Sequence, residues 1–281
     1  MREFNVQDLT NKIAQLVQEM NVEYPKDIYQ QLNHSYKKER NVQAKNTLQK
    51  LIKNADVAKK QSIPICQDTG MVVVFMQIGQ EIHFVGGDYE TAINEGVRIG
   101  YQEGFLRKSI VDDPLFKRAN TQDNTPCIIY TNIIPGDKVI LEITTKGFGS
   151  ENMSCSKMLK PAQGVEGVKG FVLQTLKKAG PNACPPFVVG VGIGGSFDYA
   201  AVLAKKATLR NIDIHNKHPL YKQLEEELLQ AINRLYIGPQ GLGGDSSALG
   251  LNIEYYPTHI AGLPVAVNVS CHITRHAKEV L

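Results

Sequence analysis

Three cysteines stand at breaks between apolar segments and turn-forming residues, and their chemistry is the first thing this chain offers. Cys66 follows an apolar lead-in and opens Cys66-Gln67-Asp68-Thr69-Gly70. Cys184 precedes Pro185-Pro186, and Cys271 closes the apolar run Leu263 to Val269 and begins Cys271-His272-Ile273-Thr274-Arg275-His276. Long stretches of chain separate them, so only the fold could unite them. Soft thiolates select zinc, copper(I) or iron–sulfur clusters, and structural zinc sites draw ligands from close Cys-x-x-Cys pairs, which are absent here. Three isolated thiolates suit three irons of a [4Fe–4S] cube, whose fourth iron stays open as a Lewis acid toward a substrate oxygen. An isolated cysteine beside an apolar run is also commonly an inert core residue. Cys127 and Cys155 are read that way.

An odd number of cysteines, five in 281 residues, and the polar opening Met1-Arg2-Glu3-Phe4-Asn5 argue for a reducing compartment. The expected location is the cytoplasm. No run approaches the roughly 18 apolar residues that a membrane helix needs, so no membrane is expected. A net charge of +3 is too mild to argue for a nucleic-acid partner, and 42% hydrophobic content supplies material for a core.

The elements that must position these residues are of two kinds. Val6, Leu9, Ile13, Leu16, Val17 and Met20 recur at helical steps, a second helix follows Pro25, and a third covers Val42 to Lys60. From Met71 onward, apolar runs of strand length appear: Val72 to Met76, Ile128 to Ile134, Val139 to Ile143, Phe187 to Ile193 and Leu263 to Val269. Helices are predicted between them at Tyr89 to Phe105, Val165 to Lys178, Ser196 to Leu209 and Leu220 to Leu235, and Asp112 to Pro126 reads as a long loop. The fold class is mixed α/β, an N-terminal helical layer (residues 1–60, not clearly separate) followed by mixed sheets with interleaved helices. Residues 1–281 are taken as one catalytic domain.

Gly190-Val191-Gly192-Ile193-Gly194-Gly195 satisfies the G-x-G-x-x-G pattern between a predicted strand and helix, with Asp213 further on. A dinucleotide site would need the next parallel strand at Asn211 to Ile214, which is short and polar. The alternative is that these glycines let the backbone pass close to a neighbouring element. Gly238-Pro239-Gln240-Gly241-Leu242-Gly243-Gly244-Asp245-Ser246 is either an anion-binding loop or a long turn.

Four segments carry a specific resemblance. They are Pro64 to Gly70; Lys146-Gly147-Phe148-Gly149-Ser150-Glu151-Asn152; Asn182-Ala183-Cys184-Pro185-Pro186 leading into Val189 to Gly195; and His259-Ile260-Ala261-Gly262-Leu263-Pro264-Val265-Ala266-Val267-Asn268 with Cys271. Together they resemble the α subunit of class I, iron–sulfur fumarate hydratase, nearly end to end. The α subunit of L(+)-tartrate dehydratase shares the cysteine framework and is the alternative. Gly149-Ser150-Glu151-Asn152, Gly194-Gly195-Ser196 and His259-Ile260-Ala261 look more like the fumarate branch.

The resemblance implies reversible hydration of fumarate to (S)-malate on a [4Fe–4S] cluster held by Cys66, Cys184 and Cys271, with one iron open. It implies that Asp68 and His259 take part in proton transfer, that Gln67 and Arg107 hold the substrate, and that Gly149 lets a backbone N–H approach it. Each role has physical sense: a carboxylate or imidazole can carry a proton near neutrality, and a planar guanidinium pairs with a carboxylate in two prongs. Without the resemblance, Arg107 would read as a surface arginine and His259 as a structural one. His272, Arg275 and His276 receive no role. Single-chain members of the family continue past the third cysteine motif, whereas this sequence ends at Leu281. A β subunit supplying further cationic groups, in an α2β2 or larger assembly, is therefore expected.

Overall fold

The computed structural model describes residues 1–281, and the chain is mixed α/β with a helical N-terminal part, as expected. A short strand β1 (Arg2–Asn5) precedes three helices, α1 (Val6–Val22), α2 (Lys26–Lys38) and α3 (Val42–Gln61). Strands and helices then interleave as β2 (Met71–Gly79), β3 (Ile82–Val85), α4 (Tyr89–Glu103), β4 (Ile128–Ile134), β5 (Val139–Lys146), α5 (Phe148–Glu151) and β6 (Cys155–Leu159). They continue as α6 (Gly164–Ala179), β7 (Phe187–Gly195), α7 (Phe197–Ala207), α8 (Pro219–Asn233), β8 (Ala248–Thr258), β9 (Leu263–Ser270) and β10 (His276–Val280). Two compact units result. One comprises Met1–Pro25, Ala55–Gly147 and Arg275–Leu281, the other Lys26–Asn54 and Phe148–Thr274, so the first sixty residues are divided between them.

In the first unit, α1 starts where the Asn5 side chain accepts the Gln7 N–H, and α4 where the Asp88 carboxylate accepts the Thr91 N–H at 2.7 Å. Both are N-caps. The helices meet closely because Gly96 faces α1: a methyl there would stand 2.6 Å from the Thr10 carbonyl oxygen. Their apolar stripes, including Ile13, Val17, Ile93, Val97 and Tyr101, share one core with Val72, Val74, Met76, Leu141 and Ile143. Those last residues belong to a sheet of order β10-β5-β2-β4, in which β2 runs parallel to β4 and antiparallel to β5. The predicted loop between α4 and β4 is present, closed by a bridge from Val111 to Asn120.

The second unit is built on a sheet of order β6-β9-β7-β8, with β7 parallel to β8 and antiparallel to β9. Alternation along β7 sends Val189, Val191 and Ile193 into a core with Val172 and Leu176 of α6 and Leu228 and Ile232 of α8. Gly190 and Gly192 take the opposite face. A Cβ on either would lie 2.0 Å from a carbonyl oxygen of α7, that of Ala204 or Ala200 respectively. The glycine pattern is thus a strand pressed against a helix. The dinucleotide reading loses its context, because residues 211–214 form a turn whose Ile212 N–H donates to the Asp27 carboxylate, and the parallel neighbour of β7 is β8, two helices later.

Candidate active site

In the first unit, the loop Cys66-Gln67-Asp68-Thr69-Gly70 leads directly into β2. Half-buried Cys66 accepts the Asp68 N–H at its Sγ, 3.4 Å away, and its thiol lies 3.4 Å from the Gln67 side-chain oxygen. The Asp68 carboxylate accepts the Gly70 N–H at 3.1 Å, closing a tight turn that Gly70 completes at φ +83°. Side chains from far along the chain fix this turn. The Tyr101 hydroxyl, at the end of α4, is 2.8 Å from the Thr69 carbonyl and 2.7 Å from that of Gly70, and Asn124 donates to Gly70 O at 3.2 Å. Arg275 donates to Asp68 O at 2.9 Å. Burial pushes the Tyr101 phenol well above its ordinary range, so it is a permanent donor here.

The same turn is tied to segments that carry basic residues. The Thr69 hydroxyl donates to the Arg107 carbonyl at 2.8 Å, which ties the segment after α4 to the Cys66 turn, while the Arg107 side chain remains exposed. Lys146, buried at the end of β5, donates to the Gly147 carbonyl at 3.0 Å. Gly147 itself faces the Asp68 carboxylate, where an added Cβ would lie 3.1 Å from Oδ2. Within this unit the structure therefore brings together Cys66, Gln67, Asp68 and the Arg107 main chain with Lys146 and Arg275.

In the second unit, Cys184 ends a 3-10 turn (Gly180–Ala183) in the left-handed region, φ +49° and ψ +62°, with its N–H on the Pro181 carbonyl. Its own carbonyl accepts the His272 N–H at 3.3 Å. This follows from the sheet: β7 begins just after Cys184, β9 ends just before Cys271, and the antiparallel register pairs Val188 with Ser270. Two of the three predicted ligands thus share one sheet end. The short helix α5, with exposed Gly149, packs beside the Cys184 turn, and nothing lies within 4 Å of where a Gly149 Cβ would be. His259 is elsewhere. It lies in the exposed β8–β9 connection, its Nδ1 accepting the Ala261 N–H, and the register of Gly195 with Thr258 puts it at the opposite end of the sheet from Cys184 and Cys271.

The glycine loop of residues 238–246 proves to bind an anion, and the anion is internal. Buried Glu39 accepts the N–H groups of Asp245 and Ser246, at 3.0 and 3.1 Å, and those of Arg40 and Asn41. Thus fixed, the loop buttresses the cysteine turn: Gln240 donates its main-chain N–H and its side-chain amide to the Pro185 carbonyl, at 2.8 and 3.0 Å. Sequence pattern offered no sign of Tyr101, Asn124, Glu39 or Gln240, whose work depends on partners distant in the chain. Cys127 is buried, with its thiol pushed up to about 12 by desolvation, as expected of a core residue. Cys155 is not in the core: it lies exposed on β6, because the sheet edge at Cys155 to Met158 faces outward.

The family model for fumarate hydratase (Fumerase) matches residues 10–280. The chain belongs to the fumarate hydratase family. A chain of Methanocaldococcus jannaschii named putative L(+)-tartrate dehydratase subunit alpha is 42% identical over 277 residues, covering 96% of each chain. The L(+)-tartrate dehydratase subunit alpha of Escherichia coli K12 is 33% identical over 279 residues, covering 96% of this chain and 91% of that one. This fumarate hydratase family is one of hydro-lyases, which add or remove water, and membership of it suggests an iron–sulfur cluster. The thiols suit such a group in their chemistry: Cys66, Cys184 and Cys271 are all at least partly accessible, unlike Cys127, and two of them share a sheet end. No three His, Cys, Asp or Glu side chains are drawn together at metal-binding distance. No helix is long and apolar enough to cross a membrane.

Proposed function

We propose that this chain is the cluster-bearing α subunit of a hydro-lyase acting on a four-carbon hydroxydicarboxylate, with Cys66, Cys184 and Cys271 holding a [4Fe–4S] cluster. The observation that carries the reading is the Cys66 turn, where Asp68 lies beside an accessible thiol, with its main-chain carbonyl held by Arg275, its carboxylate facing the Lys146-Gly147 end of β5, and the Arg107 main chain tied to the turn through Thr69. When bound, the cluster would supply a Lewis-acid position for the departing or entering hydroxyl. Asp68 is suited to take the proton from the neighbouring carbon, since its carboxylate already sits in a turn fixed by main-chain and side-chain donors. The exposed Arg107 guanidinium would clamp one substrate carboxylate, Gln67 would hold a hydroxyl or carboxylate, and uncovered Gly149 would offer its backbone N–H. His259 serves a site at Cys184 and Cys271 only if a second copy of the chain supplies it, given its place at the far sheet end.

The relatives' names favour L(+)-tartrate as substrate, and the family model with the Gly149-Ser150-Glu151-Asn152 segment supports fumarate and malate as the second reading. A dianion needs cationic partners at both carboxylates, and a β subunit would provide those this chain lacks. The test is anaerobic expression with a family β subunit, followed by assays on L(+)-tartrate and malate side by side and by iron and acid-labile sulfide analysis. Turnover of one substrate is expected, with iron lost in Cys66→Ser, Cys184→Ser and Cys271→Ser and retained in Cys127→Ser and Cys155→Ser. Full iron content in Cys184→Ser would sink the ligand assignment, and inertness toward both acids would sink the substrate class.

A further inference from the structure

Arg275 is the largest fully buried side chain in the molecule, at 2% exposure, yet its guanidinium has carbonyls for partners: Asp68 O at 2.9 Å and Thr145 O at 3.4 Å. Its Nε is buried without an acceptor. Taking a guanidinium out of water is expensive, and an apolar side chain of similar volume would fill the same space without that penalty. What an apolar chain could not do is join two strands of backbone. Asp68 belongs to the Cys66 turn, and Thr145 lies at the end of β5, immediately before Lys146 and Gly147. Gly147 approaches the Asp68 carboxylate closely. The base of the arm is fixed too, since the Thr144 hydroxyl donates to the Arg275 carbonyl at 2.5 Å and His276 pairs with Thr144 in the sheet.

We propose that Arg275 is a positioning residue that sets the Asp68 main chain against the Lys146-Gly147 end of β5, and so aims the Asp68 carboxylate. The role in turnover rests on the hydro-lyase reading; the spacing of the two segments does not. A planar fork spans two carbonyls, whereas the single ammonium of a lysine, compact and strongly hydrated, does not hold both in one geometry.

The test compares Arg275→Gln and Arg275→Lys with the unsubstituted chain by hydrogen exchange read by mass spectrometry. Peptides covering residues 66–70 are expected to exchange about ten-fold faster or more in both variants, while those from β2 and β7 keep their rates. In enzyme assembled with its β subunit, kcat is expected to fall roughly ten- to a hundred-fold with KM shifted less than about three-fold. Unaltered exchange at 66–70, or equal acceleration throughout the first unit, overturns the proposal. If Arg275→Gln fails to fold, Arg275→Lys decides. Should the unsubstituted enzyme turn over neither malate nor tartrate, the hydro-lyase reading fails, and the exchange data still judge Arg275.

Discussion

Around Cys66 the donors that reach in from elsewhere in the chain are side chains: the Tyr101 hydroxyl from α4, the Asn124 amide from the long loop, and the Arg275 guanidinium from just before β10. Around Cys184 they are mainly main-chain groups: its own N–H on Pro181 O, the His272 N–H on its carbonyl, and the Gln240 N–H on Pro185 O, joined there by one side-chain amide. Side-chain donors can be removed one at a time while the backbone path survives. A turn held by main chain depends on the path itself, and here that path needs positive φ at Gly238, Gly241, Gly243 and Gly244 and at Cys184. The first cysteine is thus held mostly by side-chain contacts that substitution can tune, the second mostly by a backbone path that substitution tends to break.

The strongest way to break the second region lies in its sheet. In Gly192→Ala the new methyl would stand 2.0 Å from Ala200 O and 2.6 Å from Ala204 N, atoms of a helix backbone that cannot rotate aside. α7 would have to lift off β7, the strand that begins just after Cys184. A loss of about 4 kcal/mol or more is expected, read as insoluble expression or a large drop in the urea midpoint. A soluble variant within about 1 kcal/mol of the parent would show that the sheet tolerates a looser helix than its spacing indicates.

A matched pair of milder changes sharpens the contrast. Tyr101→Phe removes the hydroxyl shared by the Thr69 and Gly70 carbonyls in a buried setting, where only Gly70 keeps another side-chain donor, Asn124. A loss of about 1–3 kcal/mol is expected, with faster exchange at residues 66–70. Gln240→Ala leaves the Pro185 carbonyl its main-chain donor, so about 0.5–1 kcal/mol is expected. Equal losses in denaturant titrations of the two variants would erase the distinction between side-chain and main-chain support.

The same contrast governs what sequence could reveal. The helices α1, α4, α6 and α8 and the strands β2, β5, β7 and β9 announce themselves by apolar period or run, because each buries a face against one core, and β4 shows an apolar run although most of it is exposed. Strand β8 does not: Gly250, Asn252 and Glu254 interrupt it, each answering a partner from elsewhere, as Asn252 does by donating to the Ala207 and Arg210 carbonyls. The edge strands β1, β3, β6 and β10 are short or outward-facing, so no period marks them. The Cys184 motif is legible since its support is partly local. Tyr101 reads only as a core residue of a helix, and Arg275 only as a charge near a cysteine, until the fold puts the Asp68 turn beside both. Likewise β7 could be read either as a phosphate turn or as a strand with one glycine face, and only the position of α7 decides.

The smallest expected effect tests the outer edge of the Cys66 support. Asp123 precedes Asn124, whose side chain donates to Gly70 O and accepts the Ser109 N–H at 2.7 Å. Burial raises the Asp123 pKa, but hydrogen bonds from the Thr125 N–H and hydroxyl and from Arg98 outweigh it and hold the carboxyl at about 2, against an ordinary value of 3.8. A folded-state pKa below the unfolded one means that the carboxylate contributes stability above the unfolded value, and that this is lost as pH falls through the folded one. The difference in thermal stability between the unsubstituted chain and Asp123→Asn should therefore be present above pH 3.8 and vanish toward pH about 2. Comparing the two chains cancels the other acidic groups that titrate in this range. The difference should be modest, since both the carboxylate and its Arg98 partner are partly open to solvent. A constant difference across the whole range would mean that Asp123 supports Asn124 by shape alone, without its charge.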